Sequence, residues 1–192
     1  MGHRLSTRET VGAYTALIYN KGALVLRMLH FLFTDSQTSD GTRFFDMMSD
    51  FVRRNRNSAA STEAFFAIAN ERVSQTSLAR KYGYKDWFFQ QWVLGTSLPS
   101  YRLEYRIENQ PDGMFALKGT VIQEGVPEKE EWFMPLPLVL HFPNDKRARG
   151  TVAAHGPKTP VNIVLPLRPE RVELDPERWI LSDKTTTQRV GR

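Results

Sequence analysis

The sequence predicts an α+β protein: an N-terminal array of about four helices followed by a small antiparallel β-sandwich. Three observations carry this expectation. From Val11 to Leu94 apolar residues recur at helical spacing, and from Tyr101 the spacing falls to two. Beyond that point turn-forming residues interrupt the chain roughly every 8–12 residues, as between the short strands of a sandwich.

The first helix is expected over Val11–Thr34, and it contains the longest apolar run, Tyr14–Thr34. Asn20, Arg27, His30 and Thr34 fall on one narrow strip at about 100° per residue, so most of its circumference is apolar and calls for burial. Charge interrupts it too often for a bilayer span. Lys21 projects among Leu17, Leu24 and Val25, where its ammonium must snorkel out or meet a carboxylate. Gly22 predicts a break near Tyr19–Gly22, since a mid-helix glycine costs about 1 kcal/mol relative to alanine. Asp35–Thr42 reads as a loop in which Asp40 or Thr42 caps a helix over Arg43–Arg54. After a polar connector, Ser61 or Thr62 caps the next helix, with Glu63 in its first turn and Val73 near its end. Ser74–Tyr84 reads as a connector and Lys85–Leu94 as a short aromatic helix ended by Gly95.

Strands follow. Tyr101, Leu103, Tyr105 and Ile107 alternate with charged residues, Gln110-Pro111-Asp112-Gly113 turns, and Phe115, Leu117, Gly119 and Val121 alternate again. Gly125–Glu131 reads as a polar turn. Trp132–Phe142 is a continuous apolar strand whose Pro135 and Pro137 confine at least its first half to an edge. Short strands are expected at Arg149–Ala154, Val161–Pro166, Arg171–Leu174 and Trp179–Leu181, with a frayed tail from Lys184. The boundaries are therefore 1–98 for the helical part, 99–183 for the sandwich and 184–192 for the tail. Residues 1–10 read as an exposed lead-in.

The composition narrows the function classes. The net charge of +5 is spread along the chain, +4 over residues 1–100 and +1 over the rest. Neither Arg53/Arg54/Arg56 nor Lys146/Arg147/Arg149 makes the broad basic face a nucleic acid needs, so no nucleic-acid partner is expected. With no cysteine, disulfides and thiolate metal sites are excluded. No Gly-x-Ser-x-Gly elbow is present. Compartment is left open.

Tyr19-Asn20-Lys21-Gly22-Ala23, continued by Val25-Leu26-Arg27-Met28-Leu29, resembles the Tyr-x-Lys-Gly-Ala helix of zinc aminopeptidases of the aminopeptidase N (membrane alanyl aminopeptidase, gluzincin) family. Phe88-Phe89-Gln90-Gln91-Trp92, then Gly95 and Pro99, resembles the end of that family's catalytic domain, after which a β-sandwich begins. The resemblance covers roughly residues 10–182. It implies the C-terminal part of a metallopeptidase that removes N-terminal residues from peptides, with zinc in the intact enzyme and a peptide substrate. It assigns Tyr19 as the catalytic phenol that stabilises the oxyanion, Tyr14 as a residue near the substrate, and Lys21 and Gly22 as structural, Lys21 pairing with a carboxylate elsewhere and Gly22 permitting close helix contact. The family's His-Glu-x-x-His helix and downstream Glu are absent: the only histidines are His3, His30, His141 and His155, none at helical ligand spacing. No metal is therefore expected on this chain, which alone should be inactive. Its partner would be the zinc-binding part of the same protein, and an uncovered apolar face could also drive oligomerisation.

Read without the family, a tyrosine beside an apolar helix is packing, His30 is a solvated or capped residue on the polar strip, and Trp87, Phe88, Phe89 and Trp92 form the seam between helices and sandwich. Two alternatives stand beside the enzyme reading: a non-catalytic scaffold of the same fold, and an unrelated interaction module.

Overall fold

The structure, a computed structural model, describes residues 11–35, 38, 40–83, 86–127 and 132–191. The expected lead-in, the start of the aromatic helix at Lys85 and the last residues of the Gly125–Glu131 turn lie outside them. The chain is α+β, helices first and two sheets after.

One continuous helix runs Val11–Phe33. It comprises α1 (Val11–Tyr14), a π-helical turn (Thr15–Lys21) and α2 (Gly22–Phe33). The break expected at Tyr19–Gly22 is this π turn, a widened stretch rather than an interruption. Then come α3 (Thr42–Arg54), α4 (Thr62–Val73), α5 (Ser77–Tyr82) and α6 (Trp87–Phe89), which continues as a second π turn, Gln90–Leu94. Ser61 caps α4 by accepting from Ala64 N–H at 3.2 Å, and Asp40 accepts from Thr42 N–H at 2.9 Å ahead of α3. Helix α5 departs from the expected connector. It buries only Leu78, and Thr76 starts it by accepting from Ala79 N–H.

The strands are β1 (Ser100–Asn109), β2 (Phe115–Glu124), β3 (Phe133–His141), β4 (Arg147–His155), β5 (Lys158–Leu165), β6 (Arg171–Leu174) and β7 (Thr185–Arg189). They form a four-stranded sheet, β5-β2-β1-β7, and a three-stranded sheet, β4-β3-β6. All pairings are antiparallel except β7, which runs parallel to β1 with Leu103 opposite Thr187. Two expectations are corrected here. The frayed tail contributes β7, whose run of threonines suits a pleated edge without apolar alternation. Trp179–Leu181 is not a strand, because the backbone N–H groups of Trp179 and Ile180 are taken by the Asp175 carboxylate at 2.8 and 2.9 Å.

Strand β3 explains how the halves join. Met134–Leu140 is buried throughout, so the strand is covered on both faces and reads as an unbroken apolar run. Its even-numbered residues join the sandwich core. Phe133 meets Trp87 at 4.9 Å on the helical side, where Pro137 and Val139 line a pocket with His30 and Phe31. Trp92 packs against Trp132 at 5.3 Å. The aromatic group is therefore the seam, as expected, and a single core cluster runs from Val25 to Ile180 across it. Pro135 and Pro137 lie where β3 has β4 as its only partner, and β6 joins from Leu138 onward. Asp175 N–H reaches Pro137 C=O on the β6 side, so the donors these prolines lack would face that side. Gly119, opposite Tyr105, lets β1 and β2 approach closely, since a Cβ there would meet Glu104 O at 2.2 Å.

Candidate functional site

The amino-terminal helix is covered along only half its length. From Val25 on, Met28, Leu29, Leu32 and Phe33 are core, and Leu181 N–H contacts Met28 Sδ at 3.3 Å. Arg27 ties the helix to the sandwich, donating to the Glu177 and Arg178 carbonyls at 2.9 and 3.2 Å with its guanidinium 4.5 Å above the Trp179 ring. Before Val25 no described residue is buried. Leu17 and Ile18 are 47% and 49% exposed, Tyr19 is 63% exposed, and Val11, Leu24 and Leu26 also face outward. The expectation of a helix buried on most sides fails for this half: no described element covers it.

Tyr19 lies in the π turn. Its ring meets Tyr14 edge-on at 5.9 Å, and its hydroxyl makes no hydrogen bond to a described residue. The two tyrosines, five residues apart, are thus brought together by the wider turn. Lys21, two positions on, points the other way, and its ammonium donates to Gly95 C=O at 2.8 Å. It is held by a carbonyl at the end of the second π turn rather than by a carboxylate, and burial pulls its pKa below the usual lysine value. Gly95 is itself constrained, because a Cβ there would sit 2.4 Å from Gln91 O. At Gly22 an added Cβ would meet nothing within 4 Å, so no helix contact among the described residues requires that glycine. The geometry leaves one exposed phenol with an unspent hydroxyl, on an apolar helix face, latched from behind by Lys21.

His30 is not on a solvated strip. It stacks on Phe44 at 4.8 Å and meets Trp179 edge-on at 5.8 Å, and burial, then the Arg27 charge, lowers its pKa. With Trp179 and Phe31 it walls a pocket of about 140 Å³ between α2 and β3. His141 pairs with Glu173 at 2.6 Å, and His155 lies at the end of β4. Among the described residues no group of three or more His, Asp or Glu is placed to hold a metal ion, so those side chains do not fit a zinc site. The basic cluster at the end of α3 has a structural account. Asp50, 2% exposed, receives Arg54 at 2.8 Å and Arg72 at 3.0 Å together with Arg53. The hydrogen bond from Arg72, then those from the other two, holds its carboxyl below the usual aspartate range.

No protein-family model matches the chain, and no curated protein matches it.

Proposed function

We propose that this chain is the C-terminal part of a zinc aminopeptidase of the aminopeptidase N type. In this reading Tyr19 donates its hydroxyl proton in a hydrogen bond to the oxyanion that develops on the scissile carbonyl. The sandwich braces the helix that carries it. Zinc would be held by another part of the protein, as no set among the described residues suits it. The observation that supports the reading best is the pairing of motif and exposure. The Tyr-x-Lys-Gly-Ala segment lies where the chain leaves an apolar helix face open and a phenol free, while Lys21 is directed inward. A packing tyrosine would instead be covered, with its hydroxyl bonded internally.

The test is Tyr19→Phe in the polypeptide that carries both this chain and the zinc-binding part. Zinc content and KM should hold while kcat falls about 10²–10³-fold, the usual loss for one preorganised oxyanion donor. An unchanged kcat removes Tyr19 from the mechanism. A parent protein with no zinc and no peptidase activity would instead favour the scaffold reading, in which the same face docks a partner.

A further inference from the structure

The surface between α3, α4 and α5 carries a depression of about 420 Å³ that the peptidase reading does not use. Phe33 and Met47, 2% and 0% exposed, close its floor, and Arg43, Arg72 and Arg80 stand around it with Gln75 and a single carboxylate, Asp46. Arg43 and Arg80 form no salt bridge with a described residue, so two of the three guanidiniums face the depression uncommitted. Arg72 gives one nitrogen to Asp50, while its Nε is buried without a hydrogen-bond partner. The local balance is positive, although Asp40, close enough to Arg43 to feel its charge, lowers it by one when counted. Three arginines against Asp46 leave +2. Adding Arg53 and Arg54 with Asp50 and Glu71 gives five cations against three anions, again +2. Guanidinium forks match the paired oxygens of a phosphate, and a surplus of two charges matches its dianion. An apolar floor keeps the ligand's oxygens directed at the walls.

We infer that this depression is a binding site for a small phosphate-class dianion, held by Arg43, Arg72 and Arg80. Phe33 ends the helix 14 residues beyond Tyr19, about 20 Å away at 1.5 Å per residue, so the site is separate from the exposed phenol and stands or falls independently of it.

Inorganic phosphate is the first probe, titrated at constant ionic strength against chloride with 31P line width and melting temperature as readouts. Saturable binding below about 1 mM, with a raised melting temperature, is expected from several charge-assisted contacts. Arg43→Gln with Arg80→Gln should weaken it at least about tenfold without loss of fold, since both side chains are exposed. Arg53→Gln, on the far side of Asp50, should leave it unchanged. Vesicles containing phosphatidate separate a lipid headgroup from free phosphate as the source: recruitment that inorganic phosphate competes away assigns the site to headgroups, and no recruitment assigns it to soluble ligands. A phosphate response equal to chloride, binding only above about 10 mM, or equal binding by the double variant would each overturn the assignment and leave an adventitious ion only.

Discussion

Lys21→Met tests how the candidate site is held. The substitution keeps an unbranched stem of similar reach and removes only the ammonium that donates to Gly95 C=O at 2.8 Å, a contact bridging 74 residues of sequence. A hydrogen bond from a charged donor contributes about 1.5–3 kcal/mol. Against this, the ammonium is partly desolvated, as its lowered pKa reflects, so removing it returns some of that cost. The orphaned carbonyl belongs to a half-exposed glycine that water can reach, which places its penalty at the low end. The net expectation is a loss of about 1–2 kcal/mol, read from urea midpoints at pH 7. A second signal should accompany it. The π turn holds an extra residue relative to an α-helix, and without its anchor the turn can relax. Residues ahead of it would then swing by about 100°, one residue's rotation. The Tyr14–Tyr19 edge contact at 5.9 Å would break, changing the ring-current shifts of both tyrosines. A variant as stable as the parent, with those shifts unmoved, would refute the latch.

Other expectations follow from the same geometry. Gly95→Ala should destabilise by about 1–3 kcal/mol, because its Cβ would press on the Gln91 carbonyl, whereas Gly22→Ala should stabilise by about 0.5–1 kcal/mol, because its Cβ meets nothing; urea midpoints compare them directly. Asp175, 4% exposed, has its pKa pushed up to about 6 by burial. Its raised folded value means the native state binds the extra proton, so this contribution is present in acid and lost as pH rises through the window from about 4 to 6. It amounts to about 3 kcal/mol at 1.36 kcal/mol per unit. Asp175→Asn, tolerated at its φ of 46°, should flatten that slope in stability measured from pH 4 to 7. Where the open helix face drives self-association of this chain, Leu17→Asp with Ile18→Asp should abolish it in sedimentation experiments without lowering the melting temperature, since both side chains face outward. Persistent association would place the contact elsewhere.

Much of the architecture was legible because the relevant residues act locally. Ser61 announces α4, the Gln110–Gly113 turn separates β1 from β2, and Tyr101, Leu103 and Tyr105 alternate into the core as their spacing requires. What escaped depends on distant partners. Thr185–Arg189 has no apolar alternation and becomes a strand only because β1 offers an open edge. Trp179–Leu181 looks extended, but Asp175 takes its N–H groups. Helix α5 is too short for a periodic signal. At the candidate site the resemblance singled out Tyr19 and Tyr14 but could not show which way Lys21 turns, since Gly95 lies far along the chain. Likewise Arg53 and Arg54 show in sequence no partner beyond their own helix, and only folding brings Arg72 to share Asp50 with them.

The two prolines of β3 have a consequence for solubility. A strand this greasy, with one flank lacking a neighbour over its first half, is the kind of template on which other chains stack into fibrils. Here the flank offers a carbonyl at Pro135, that of Pro137 being taken by Asp175 N–H, and neither proline supplies an amide proton, so an incoming strand would find its donor rungs missing. The sheet stops growing where its chemistry runs out of donors, and replacing either proline with valine would hand a passing chain its first foothold.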